Sequence, residues 1–110
     1  MSKTEVLNEF MESSINLIGK TVLTISNAIL NKDIATAKKL TEKIIEWENS
    51  LQEKTVTVGS KKIVDAEALI GIMAYLLREM LKEENFEDAL KAAYGIYYYS
   101  EDFLRKLKQS

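Results

Sequence analysis

The stretch Asp65 to Lys82, DAEALIGIMAYLLREMLK, limits the possible folds more than any other. From Ala68 to Leu77 it runs ten residues without a charge. At helical spacing Ile70, Ile72, Met73, Leu76 and Leu77 point to all sides, so no face is left for water. A helix that is apolar all round is normally buried. This segment is therefore expected to be a central post with the rest of the chain packed around it. Its apolar run is too short for a bilayer, which needs about 20 residues.

The remainder has to supply the cover. A chain of 110 residues makes one domain with one core, spanning 1–110. It has no proline and only four glycines, whereas strand-rich folds spend both freely on turns. Long helices follow. Hydrophobic residues at 46% and charged residues at 29% fit a folded chain rather than a disordered one. The net charge is -2, and lysines alternate with acids throughout. No clustered basic face is present, so a nucleic-acid partner is not expected. Cysteine and histidine are both absent. That removes disulfides, thiol catalysis, thiolate and imidazole ligation, and histidine acid–base chemistry. The first residues, MSKTEVLNEF, lack the apolar core of a signal peptide. A cytoplasmic location and no membrane partner are the expectations.

In chain order, helix one should run from about Thr4 to Leu30, with Ser2 and Glu5 at capping-box spacing. Leu7, Met11, Ile18, Val22, Ile25 and Ile29 make its apolar stripe at steps of three and four, flanked by Phe10, Leu17 and Ala28. Leu23 and Leu30 fall on the far side among polar residues, and are candidates for a second contact surface. Asn31-Lys32-Asp33 is a break, with Asp33 as the next N-cap. Helix two, Ile34 to about Glu53, carries the seam Ala37, Leu40, Ile44, Trp47 and Leu51. Trp47 should be the largest single burial.

Lys54 to Val64 reads differently. Thr55, Val56, Thr57 and Val58 are β-branched with alternating polarity, and Gly59-Ser60 suits a tight turn. Residues 54–64 are expected to be either a small β-hairpin pairing Val56 with Ile63, or a plain loop. Asp65 then caps the central helix, and Gly71 inside it points to close approach of a neighbouring helix. Asn85 with Asp88 caps helix four, Phe86 to about Lys108. Its core face is Phe86, Ala89, Leu90, Ala93, Ile96, Tyr97, Phe103, Leu104 and Leu107. Four of the five tyrosines cluster here, with Tyr97 assigned to the core, Tyr94 and Tyr99 to the flanks and Tyr98 to the polar side. The segment from Asp33 to Leu51 weakly echoes that from Asn85 to Phe103. The expected fold is all-α, an up-and-down four-helix bundle of two antiparallel hairpins.

Little marks a reaction site. Glu42, Glu46 and Glu53, with Asp65 and Glu67, are the carboxylates that an oxygen-ligated cation would have to use. With Lys38, Lys39 and Lys43 beside them, they read as a solvated charged face. No metal, no cofactor and no catalytic residue is expected, because no phosphate loop and no serine beside a base are present. Tyr94, Tyr98 and Arg105 have the residue types enriched at protein interfaces. They form one candidate protein-binding surface, and Leu23 with Leu30 the other.

FMESSINLIGKTV, the break NKDI and the stretch LIGIMAYLLREMLKEENFED resemble the flagellar export chaperones. Leu69, Ile72-Met73, Tyr75, Arg78 and Asp88 stand at that family's spacing. The resemblance implies a small bundle that binds a partner's terminal helices. Helix one, NKDIATAKK and helix two are similar to the PhoU-like phosphate-signalling family, with Glu42 and Glu46 at the spacing of its acidic metal motif. That likeness implies a metal-responsive regulator. The all-α nucleotide pyrophosphohydrolases would supply an enzyme reading. Their E-E-x-x-E and E-x-x-D groups are not matched, since Glu9 and Glu12 stand alone and Ile70 occupies the Asp position after Glu67. The reading adopted is a non-enzymatic adaptor, chaperone or scaffold that self-associates or binds a partner helix.

Overall fold

A computed structural model describes residues 2–58 and 60–109. They form four helices, α1 (Lys3–Leu30), α2 (Ile34–Val58), α3 (Lys61–Lys82) and α4 (Phe86–Gln109). Each packs on two neighbours, α1 closing the ring against α4, in an up-and-down bundle 45 Å long. No strand occurs among the described residues, and none of their helices is long and apolar enough to cross a membrane.

Local chemistry fixes the helix ends. The Ser2 hydroxyl accepts from the Glu5 N–H at 3.2 Å, and Asp33 Oδ1 accepts from the Thr36 N–H at 3.3 Å. Asn85 Oδ1 accepts from the Asp88 N–H at 3.3 Å while its amide donates to the Asp88 carboxylate at 2.9 Å. The α1–α2 and α3–α4 turns share one construction. Lys32 and Glu84 take positive φ, at 63° and 60°. The next residues, Asp33 and Asn85, donate back to Ala28 O at 2.8 Å and Met80 O at 2.9 Å. This is the Schellman closure, made here without glycine. The echo between the two halves is thus a repeated turn geometry.

Several expectations are corrected. Residues 54–64 hold no hairpin: α2 continues to Val58 and α3 begins at Lys61, while Gly59 lies outside the described residues. Thr55 is buried in the bundle, and burial overrides its weak helix propensity. The Thr55 and Thr57 hydroxyls bond to Gln52 O at 3.0 Å and Glu53 O at 2.9 Å. Val56 is exposed and Ile63 is core. Ser60, not Asp65, is the N-cap of α3. Asp65 sits inside the helix, 2.6 Å from Lys61 Nζ.

The central post is corrected too. In a square of four helices none is surrounded, so α3 keeps an outward face. Leu69, Ile72, Tyr75 and Leu76 are exposed on it. Trp47 is half-buried at the edge of α2, a place that suits an indole needing a partner for its N–H. Phe86 and Tyr97 are exposed rather than core, and Phe10 and Leu17, which flank the α1 stripe, are exposed too. Ile15, outside the expected stripe, is fully buried beside Met11, Ile18, Val22 and Ile25.

Candidate functional site

The α2 seam is rotated from the expected one. Ala37, Ile44 and Leu51 are buried as read, but the positions that alternate with them are Thr41, Glu48 and Thr55, and Leu40 and Trp47 lie to the side. All six follow steps of four and three, the spacing of a helix–helix seam. The two threonines are satisfied within α2, Thr41 donating to Ala37 O at 2.7 Å. A glutamate is too long for that, and Glu48 reaches across to α3.

There its carboxyl lines the same depression as that of Glu67. Glu48 is 3% exposed and Glu67 1%. Gly71, one turn beyond Glu67, makes the room. A Cβ at Gly71 would fall 2.5 Å from Glu48 Oε1 and 2.9 Å from its Cδ. The close approach signalled by Gly71 is therefore that of a carboxyl group from α2. Burial, then the hydrogen bond and charge of Glu48, push the Glu67 carboxyl up to about 9. Glu67 Oε1 is buried with no donor among the described residues. Asn49, Gln52, Ala68, Ile72 and Tyr75 complete a shallow depression over the pair, where the Tyr75 hydroxyl donates to Asn49 Oδ1 at 3.4 Å. Two signals in the sequence mark this pair, the seven-residue spacing Thr41–Glu48–Thr55 and the Glu67–Gly71 step. Reading apolar residues alone passes over both.

The other acids are not brought to it. Glu42, Glu46, Glu53 and Asp65 are exposed, with Glu42 3.8 Å from Arg78. Among the described residues no group of three or more acidic, histidine or cysteine side chains is placed to hold a metal ion. Lys38, Thr41, Glu42, Arg78, Leu81 and Lys82 line a larger depression of about 380 Å³. Its cations are partly engaged, Arg78 with Glu42 and Lys82 with Glu79 at 3.9 Å.

Exposed apolar residues occur on α1, α3 and α4, and on α3 four of them, Leu69, Ile72, Tyr75 and Leu76, fall within two turns. Leu69, Ile72 and Leu76 share its outward side, and Ile72 is 56% exposed. Arg78 lies over the Tyr75 ring, 4.9 Å from its centre. Toward α4 the surface dips into a groove lined by Met73, Leu76, Met80, Asp88, Lys91 and Ala92. Gly95 admits Met73 there, since a Cβ would stand 2.7 Å from the Met73 methyl.

The sequence-derived candidates fall on other faces. Tyr94 and Tyr98 are exposed on α4, Tyr98 at 60%, with its ring edge-on to Tyr99 at 5.5 Å. Arg105 is exposed but engaged with Asp102 at 3.2 Å. Lys106 and Arg105 hold that carboxyl below its ordinary range against the opposing effect of burial. Leu23 and Leu30 are exposed on α1, and Leu23 borders the α1–α4 groove together with Tyr97. Comparison with protein-family models, curated proteins and solved structures finds no match for this chain.

Proposed function

We propose that the protein is a non-enzymatic helix-docking bundle whose working surface is the outward face of α3 with the adjoining α3–α4 groove. The observation that carries this reading is the exposure of Leu69, Ile72, Tyr75 and Leu76 on one helix. Singly exposed leucines are ordinary, but a run of apolar side chains on one face marks an interaction surface. Their steps of three and four match the anchors by which one helix grips another. Met73 and Met80 are half-buried in the groove beside them, and unbranched methionines adapt to an incoming side chain. The occupant is a second copy of the chain, α3 against α3, the two-fold arrangement that asks for no further partner.

Size-exclusion chromatography with light scattering tests this on the wild type and on Ile72→Lys, Tyr98→Ser and Leu23→Lys. The expected result is a wild type larger than a monomer, with Ile72→Lys a folded monomer and the other two unchanged. Loss of assembly in Tyr98→Ser or Leu23→Lys alone would move the interface to α4 or α1. A wild type that stays monomeric at high concentration would rule out self-association and leave a helix of another protein, the occupant implied by the resemblance to flagellar export chaperones.

A further inference from the structure

We propose that Glu48 and Glu67 share one proton, and that this proton clasps α2 to α3, so that the seam is closed while it is held and loosens when it is lost. Two carboxyls buried on one seam and lining one depression favour a proton between them. An ionised carboxylate only accepts hydrogen bonds, so two carboxyls within bonding distance need one of them protonated. Gly71 opens the space that the Glu48 carboxyl fills, one turn from Glu67 on the same helix, and both carboxyls line one depression. With no third acid, histidine or cysteine grouped there among the described residues, a proton is the smallest positive charge that satisfies the pair.

The surroundings leave the proton no substitute. From α2 the neighbours at the mouth are the neutral amides Asn49 and Gln52, and from α3 they are Ala68, Ile72 and Tyr75. The Tyr75 hydroxyl is turned to Asn49. Arg78, further along α3, is drawn to Glu42 and the Tyr75 ring. The buried residues of α1 and α4 that close the core include no charged side chain. Asp102, half-buried on α4, is held by Lys106 and Arg105. Burial and the neighbouring Glu48 both act to keep the Glu67 carboxyl protonated.

The sign of the pH dependence follows. The native state holds the Glu67 proton more tightly than the unfolded chain, so the clasp contributes fully below the ordinary glutamate value. The contribution falls as pH rises from about 4.5 toward about 9. The clasp acts whatever docks against α3.

Carbon-13 carboxyl NMR of the wild type tests it directly, with melting temperatures from pH 5 to pH 9 as the second readout. Glu67 is expected to ionise far above the other glutamates, and the melting temperature to fall as the pH rises. Glu67→Gln keeps an N–H donor for Glu48 without a titrating proton, and its melting temperature should stay level over the same range. Ionisation of Glu67 among the ordinary glutamates, or a Glu67→Gln profile that falls like the wild type's, would overturn the proposal. If Glu67→Gln does not fold, the wild-type titration decides alone.

Discussion

On its inward side α3 buries Ile70, Ala74, Leu77 and Leu81 together with Glu67, while on its outward side it exposes Leu69, Ile72 and Leu76. α1 makes the ordinary choice on its inward side, where Met11, Ile15, Ile18, Val22 and Ile25 line the core without a charge. A buried carboxyl is costly unless it is neutral or paired, and an exposed run of apolar residues costs solubility. α3 carries both. Neither is needed merely to hold four helices together, so each invites a second role. The buried pair suits a proton-sensitive joint, and the outer face suits a docking surface.

Substitutions can widen or collapse this contrast. The largest effect should separate two apolar neighbours on opposite sides. Leu77→Ala opens a cavity at a fully buried site and should cost about 2–5 kcal/mol in urea unfolding. Ile72→Ala, on the outer face, should stay within about 0.5 kcal/mol at protein concentrations too low for assembly. Similar losses at both sites would mean that the outer face is packed after all.

Next comes the pair. Glu67→Ala strands Glu48 in the seam and should cost about 1–3 kcal/mol at pH 6, measured by the same unfolding. That loss should shrink toward pH 9, where the wild type has lost its proton. Gly71→Ala brings a Cβ into the Glu48 carboxyl. It should flatten the pH profile even though alanine is the better helix former by about 1 kcal/mol.

The smallest effect belongs to the turns. Lys32→Gly and Glu84→Gly relieve side chains held at positive φ, and each should raise stability by up to about 1 kcal/mol. Equal gains would strengthen the equivalence of the two hairpin turns.

These differences also explain what could be read from the chain. Four helices, their caps at Ser2, Asp33 and Asn85 and the neighbour order were legible, because capping residues and apolar periodicity act locally. Residues 54–64 were not, since Thr55 is held helical by burial that only the assembled bundle provides. Of the α2 seam, Ala37, Ile44 and Leu51 are legible, but Leu40 and Trp47 stand in for Thr41 and Glu48 one position away, because leucine and tryptophan outweigh threonine and glutamate in any apolar count. The bundle nevertheless turned Leu40 and Trp47 to the edge. The outward side of α3 reads as core in the sequence for a related reason. An uncharged run looks buried, and nothing local distinguishes a face covered by this chain from one left open for another. Tyr94 and Tyr98 were correctly read as peripheral. Tyr97 was not, because helical spacing places it near the core while the α1–α4 groove opens beside it.

The most direct test of α3 as a docking helix is the melting temperature of the wild type and of Ile72→Lys as protein concentration is raised from micromolar to millimolar. Assembly through this face stabilises the folded state by mass action. The wild type should melt higher with concentration, and the variant should melt at one temperature throughout, equal to that of the dilute wild type. A wild type whose melting temperature does not move, or a variant that follows it upward, would contradict assembly through α3.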